Sequence, residues 1–171
     1  MQNTKNKSNH IVSDIIDVPH IFVDTREKLP YVFYKTESCA GGISKTLPVG
    51  DYMVEGVDDL VIERKASVSE LWSNFGVDRE RFFRELELLR KFKYKFLILE
   101  LQYKDILNGC AYSQISPNFI ISNLLKVIFE YEINVIFAGN RTCAHDITRR
   151  ILLKAWKYNQ EGRLNGIKEA S

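Results

Sequence analysis

The spacing of apolar residues changes along the chain, and each change marks an element. Ile21-Phe22-Val23 ahead of Asp24 is a short apolar run closed by a polar residue, which predicts a buried strand. Residues 45–55 and 60–65 are rich in β-branched and aromatic side chains and read as two further strands. Gly56-Val57-Asp58-Asp59 between them is a turn signal, whereas residues 29–44, with Gly41-Gly42, read as a loop. The period then turns helical. Residues 67–73 predict a short helical turn, and Asp78 caps a helix to about Arg90 with Phe82, Phe83, Leu86 and Leu89 on one face. Residues 94–100 predict a buried strand, and Ser116-Pro117, in cap-then-proline order, opens a helix to about residue 131. Residues 134–138 form the last expected strand and 141–158 the last helix. Strands alternating with helices in this way predict an α/β fold, a mixed sheet packed between helices.

Length and composition agree with one domain. The 171 residues can bury a sizeable core, and a 45% hydrophobic content excludes a disordered chain. The expected organisation is a polar tail over 1–18, a domain over 19–159 and a second tail over 160–171. Cys39, Cys110 and Cys143 are widely spaced, which excludes a disulfide framework or zinc motif and fits a reducing cytoplasm. His10, His20 and His145 show no ligand spacing. No run approaches the ~18 apolar residues of a membrane span, and residues 1–11 lack the apolar stretch of a secretory signal. A net charge of +2 is only mildly basic, so contact with nucleic acid requires basic residues gathered on one face.

The candidate chemistry lies in the first third. If the chain folds back near Val57, Asp51 lies opposite Glu63, each being six residues from that pivot. Alternation along the strand sends Glu63 and Lys65 to one face and Arg64 to the other. Asp51, Glu63 and Lys65 then share a pocket, and a slip of one residue would scatter them. Two carboxylates suit Mg²⁺, a hard ion that takes one or two protein carboxylates plus water and phosphate, with the Arg64 carbonyl as a possible third ligand and Mn²⁺ as a substitute. Such an ion acidifies water and offsets charge on a scissile phosphate. Lys65 beside it would position the attacking hydroxide and stabilise developing negative charge. Asp24, at the end of the upstream strand, is a further candidate; its alternative is an ordinary strand-end carboxylate paired with Arg26 or Lys28.

These residues carry a family resemblance. Val23-Asp24-Thr25-Arg26-Glu27, then Gly50-Asp51-Tyr52, then Val61-Ile62-Glu63-Arg64-Lys65, resembles the nuclease domain of the XPF-type structure-specific endonucleases. The likeness continues through Arg81-Phe82-Phe83-Arg84-Glu85-Leu86, residues 94–100 and residues 135–141, and so spans about 20–155. It implies a restriction-endonuclease-like fold, a mixed central sheet flanked by helices. It also implies metal-ligand roles for Asp51 and Glu63, with Asp24 as a further catalytic and metal candidate. Lys65 takes a catalytic role, and Arg26, Glu27 and Arg64 supporting ones. The family usually has an acid four residues after the motif lysine, where this chain has Ser69 followed by Glu70. Relatives also carry a helix-hairpin-helix module after the nuclease domain. Without one, the chain resembles the stand-alone versions of phages and prophages, placing it in a bacterial or phage-infected cytoplasm.

The implied activity is Mg²⁺-dependent hydrolysis of branched, flapped or forked DNA in repair, recombination or phage replication. The alternatives are an inactive DNA-binding or partner module of the same fold, and a restriction-type or RNA-directed hydrolase. Arg81, Arg84 and Lys91 share one flank at helical spacing and are candidate DNA-backbone contacts, or else a solvated face balanced by Glu80, Glu85 and Glu87. Arg149, Arg150, Lys154 and Lys157 form a second basic cluster, read as surface. Trp72 and Phe75 are read as core rather than as base-stacking residues. Phe119, Ile120, Ile121, Leu124, Leu125, Ile128 and Phe129 exceed a simple amphipathic stripe, and relatives pair through this domain, so a homodimer is expected.

Overall fold

A computed structural model describes residues 17–164. Its order is β1 (His20–Asp24), β2 (Gly41–Lys45), β3 (Tyr52–Val54), β4 (Val57–Lys65), α1 (Val68–Phe75), α2 (Arg79–Leu89), β5 (Tyr94–Leu99), α3 (Tyr103–Leu107), α4 (Pro117–Tyr131), β6 (Asn134–Phe137) and α5 (Arg141–Gln160). The strands form one mixed sheet in the order β2-β1-β3-β4-β5-β6. Strand β3 runs antiparallel to both neighbours, and the pairs β1/β2, β4/β5 and β5/β6 are parallel. The expected tails fall mostly outside the described residues.

Each face of the sheet carries its own core. On one side Val61, Leu97 and Leu99 pack against Leu71, Trp72 and Phe75 of α1, Phe82, Leu86 and Leu89 of α2, and Ile120, Leu124 and Val127 of α4. On the other, Ile21, Tyr52, Ile62 and Ile98 pack against Ala144, Leu152 and Ala155 of α5 and against Tyr31 and Phe33. Strands β4 and β5 therefore alternate between two buried faces, and their sequences read as near-continuous apolar runs for that reason. Trp72 and Phe75 are core residues, the indole N–H of Trp72 donating to Ile115 O at 2.9 Å.

Local chemistry explains most of the helix boundaries. Ser116 accepts from Phe119 N–H ahead of Pro117, as the cap-then-proline order predicts. Asp78 stands at the cap position of α2 but caps nothing with its side chain; its Oδ2 accepts from Ser73 Oγ at 2.6 Å.

Two expectations are corrected. Residues 41–45 are a strand, because β1 offers a parallel partner to Gly41–Lys45. Residues 45–55 are not one strand: Leu47 N–H donates to the Asp24 side chain instead of a ladder, and Pro48 has no N–H to give. The short helix α3 had no counterpart in the pattern; at its start Gln102 N–H donates to Asp105 Oδ2 at 2.7 Å and Asp105 N–H donates to the Gln102 carbonyl at 3.0 Å. No helix among the described residues is long and apolar enough to cross a membrane.

Candidate active site

The C-terminal ends of β1, β4 and β5 and the start of β3 meet at one edge of the sheet, as their pairing directions require. A cleft of about 780 Å³ opens there. It is lined by Asp24, Arg26, Glu27, Asp51, Glu63, Arg64, Lys65 and Arg81 among the expected residues. Arg84 and Lys91 do not line it. Lys91 lies beyond the end of α2, so the three basic residues do not share one helical flank.

The hairpin register produces the central pair. Tyr52 pairs with Ile62, and Asp51 N–H donates to Ile62 O at 2.9 Å, so the next position sets Asp51 opposite Glu63. The turn is tighter than expected, with Val54 facing Val57, and an irregularity between Tyr52 and Val54 absorbs the difference. Gly50 makes the approach possible. Its φ of +76° is left-handed, and a Cβ there would strike Val61 Cγ2 and lie 3.1 Å from Ile62 O. Gly50→Ala is therefore expected to destabilise the fold by about 2–5 kcal/mol, the sum of a left-handed alanine and an overpacked contact. Urea unfolding measures it; a loss below about 0.5 kcal/mol, the range of an ordinary surface change, would contradict the packing.

Alternation along β4 divides Glu63-Arg64-Lys65 between the two faces. Lys65 Nζ donates to Glu63 Oε1 at 2.8 Å and lies 3.6 Å from Glu70 Oε1. Burial disfavours the Lys65 charge, but the Glu63 carboxylate, with Glu70 and Asp51, outweighs it and holds the ammonium above its usual range. The Asp51 pKa is likewise raised, well above that of an ordinary carboxylate. Burial, then the neighbouring Glu63 charge, raise its pKa despite the Arg64 N–H that donates to Oδ2 at 2.7 Å. Glu70 follows Ser69 and nonetheless reaches Lys65, while its Oε2 accepts from Ala66 N–H at 2.8 Å.

Arg64 projects to the opposite face. Its guanidinium forks to Glu27 Oε1 at 2.9 Å and Glu100 Oε1 at 2.8 Å, all three side chains being at most 10% exposed. Glu100 Oε1 also accepts from the Tyr31 hydroxyl at 2.7 Å. Arg141, on α5, donates to the carbonyls of Leu29 and Pro30 and approaches Glu100 at 3.5 Å. This network fastens the segment after β1 to the sheet and to α5. The sequence had marked Arg64 and Glu27 but missed Glu100, Tyr31 and Arg141, which arrive from distant elements.

Asp24 takes the paired arrangement given as its alternative. Oδ1 accepts from Arg26 N and Nε, both at 2.7 Å, and Oδ2 from Arg26 Nη2 at 2.9 Å and Leu47 N at 2.8 Å. Burial alone would raise its pKa, but the Arg26 hydrogen bonds and the Leu47 N–H outweigh it and lower the pKa. Its four acceptor positions are filled.

The donor set fits a hard cation that keeps much of its water. Among the described residues, Asp51 Oδ1 and Glu63 Oε2 have no hydrogen-bond partner, and the Asp51 pKa is raised by burial and then by the neighbouring Glu63 carboxylate. No three His, Cys, Asp or Glu side chains among those residues converge as a ready-made cage. Mg²⁺, which needs only one or two carboxylates, suits such a site. Glu85 and Asn74 complete the cleft wall from α2 and α1; the sequence offered Glu85 only as a balancing surface charge and did not single out Asn74. Burial, and then the Glu63 charge, raise the Glu85 pKa.

Comparison with known proteins agrees with this fold. The fold matches XPF from Aeropyrum pernix with a TM-score of 0.56 at 17% identity, covering 82% of this chain and 65% of that one. The same organism's XPF in complex with DNA matches with a TM-score of 0.53, also at 17% identity, over 89% and 68% of the two chains. The chain thus spans about two thirds of the length of these structures. Among curated proteins none matches. The mixed six-stranded sheet flanked by helices is the expected restriction-endonuclease-like fold. The ERCC4 domain model matches residues 23–151, from the end of β1 into α5, and encloses every residue of the cleft described above: this chain belongs to the ERCC4-domain family.

Proposed function

We propose that this protein is a divalent-metal-dependent DNA endonuclease that cleaves branched, flapped or forked DNA. The observation that carries the reading is the hairpin that sets Asp51 against Glu63, with Lys65 bonded to Glu63, inside an ERCC4 domain. Asp51 and Glu63 would hold Mg²⁺ or Mn²⁺, and the ion would supply an acidified water and offset phosphate charge. Lys65, kept protonated by its carboxylate neighbours, stabilises the negative charge that builds on the phosphate oxygens. Asp24 acts through Arg26, which it fixes at the cleft wall, and would ligate metal only on releasing that guanidinium. Arg81 contacts the approaching DNA backbone from α2.

Phosphate contacts carry little base information, so selectivity comes from DNA shape. Nicking independent of sequence is expected, with a flap cut faster than its matched duplex. Binding should weaken steeply with salt as counterions are released. The test compares both substrates at two salt concentrations with Mg²⁺. Equal rates, or cutting at one fixed sequence in every context, would favour a restriction-type enzyme.

The same reading includes a homodimer. Ile120 and Leu124 of α4 are buried, but Phe119, Leu125, Ile128 and Phe129 remain exposed, the last at 78%. An apolar surface of this kind on a helix marks an interaction face. Light scattering at tens of micromolar is expected to give twice the chain mass; the monomer mass would remove the dimer.

A further inference from the structure

A second groove, of about 960 Å³, lies at the end of the sheet opposite the cleft. Leu60, Tyr94 and Phe96 form its floor at the starts of β4 and β5, and Ile151 and Trp156 of α5 form one wall. Tyr94, Phe96, Ile151 and Trp156 are only partly buried against the core. Arg149, Arg150, Lys154 and Lys157 rim it. Arg150 is paired with Asp146 at 2.7 Å. Arg149 and Lys154 have no carboxylate partner among the described residues; Arg149 bonds to the Ser38 hydroxyl at 3.1 Å and Lys154 lies over the Tyr158 ring. Asp17 and Glu37 also line the groove but are outnumbered by the four basic side chains, and an apolar trough with an excess of positive charge suits an apolar segment that carries a carboxylate.

The chain supplies one. Asp17 and Val18, the first described residues, already line the groove. The residues before them read Ile11-Val12-Ser13-Asp14-Ile15-Ile16: four large aliphatic side chains and a carboxylate. We propose that residues 11–16 of this chain occupy the groove, with the isoleucines on Phe96 and Trp156 and Asp14 facing the basic rim. Six residues reach up to about 20 Å when extended, enough to run from Asp17 along the groove. Tethering gives this segment an effective concentration in the millimolar range, which favours it over a second copy or an outside peptide of the same chemistry.

The test uses the isotope-labelled full chain. Nuclear Overhauser contacts are expected from the Ile15 and Ile16 methyl groups to the Trp156 or Phe96 ring. The double variant Ile15→Asp/Ile16→Asp should abolish them and shift the Trp156 indole resonance. The Trp72 indole, buried and bonded to Ile115, should stay in place. A synthetic peptide of residues 8–18 at about 1 mM, comparable to the tethered concentration, should return the Trp156 resonance of that variant toward its original position. A Trp156 signal unmoved by the double substitution would overturn the proposal. So would a signal that moves with protein concentration, which assigns the groove to a second copy, or one the peptide fails to restore.

Discussion

Replacing Glu63 by Gln, or Asp51 by Asn, is expected to reduce Mg²⁺-dependent flap cleavage by roughly 10²–10³-fold or more, the scale of losing one preorganised charge-stabilising group. An amide keeps the shape of the carboxylate but not the charge that a hard cation needs. Asp51→Asn also keeps an oxygen for the Arg64 N–H, so the fold should survive. It should in fact improve. The folded protein holds the Asp51 proton more tightly than the unfolded chain does. The penalty for ionising this side chain is therefore absent below the unfolded value near 3.9, and grows as pH rises through the folded pKa. Without metal, Asp51→Asn should melt above the wild type at pH 8, and the gap should close on acidification towards pH 4. Each kcal/mol released is worth about 2–4 °C for a domain of this size. Mg²⁺ should raise the melting temperature of the wild type and not of the variant. Single-turnover cleavage and thermal melts check both halves; wild-type rates in either variant would end the metal-ligand assignment. Lys65→Ala should also lose activity severely, and Ser69→Ala should not.

Arg64→Ala is expected to act on the other side of the balance. It strips the shared cation from two buried carboxylates, Glu27 and Glu100. Breaking a buried ion pair from one side costs roughly 3–5 kcal/mol, because the remaining charge is left uncompensated. A fall in melting temperature of about 6–20 °C follows. Arg64→Lys should rescue little, since an ammonium cannot fork to both carboxylates as the planar guanidinium does. A melt within about 2 °C of wild type for Arg64→Ala would show that the network adds nothing to stability.

The contrast between these residues explains what the sequence could reveal. Asp51, Glu63 and Lys65 are joined by a hairpin, a local structure whose register follows from two strand patterns and a glycine turn. They were found together. Glu100 reaches Arg64 only because β5 lies beside β4, and Tyr31 and Arg141 only because the segment after β1 folds under α5. No local period encodes such meetings. The long helices α2, α4 and α5 were legible because each buries a stripe many turns long. Strand β2 was hidden by Gly41-Gly42, a pair that reads as a turn. Gly41 holds a left-handed φ of +107°, whereas a Cβ at Gly42 would meet Phe33 only at ordinary contact distance. Arg84 and Lys91 were grouped with Arg81 by spacing alone; α2 ends at Leu89, before Lys91, and Arg84 lies on the same helix as Arg81 but outside the cleft lining.

Three consecutive residues of β4 thus bear opposite selective burdens. Glu63 and Lys65 face the cleft, Arg64 faces the buried network, and neighbouring codons answer to different requirements. If Glu63 holds the metal as proposed, an isosteric change at position 63 should remove catalysis while keeping an oxygen for Lys65, whereas a change at position 64 should cost the fold much of its stability. If the chain cuts DNA as proposed, a descendant that no longer does so should lose the cleft carboxylates first and keep its arginine, persisting as a stable domain free to take up a purely architectural task.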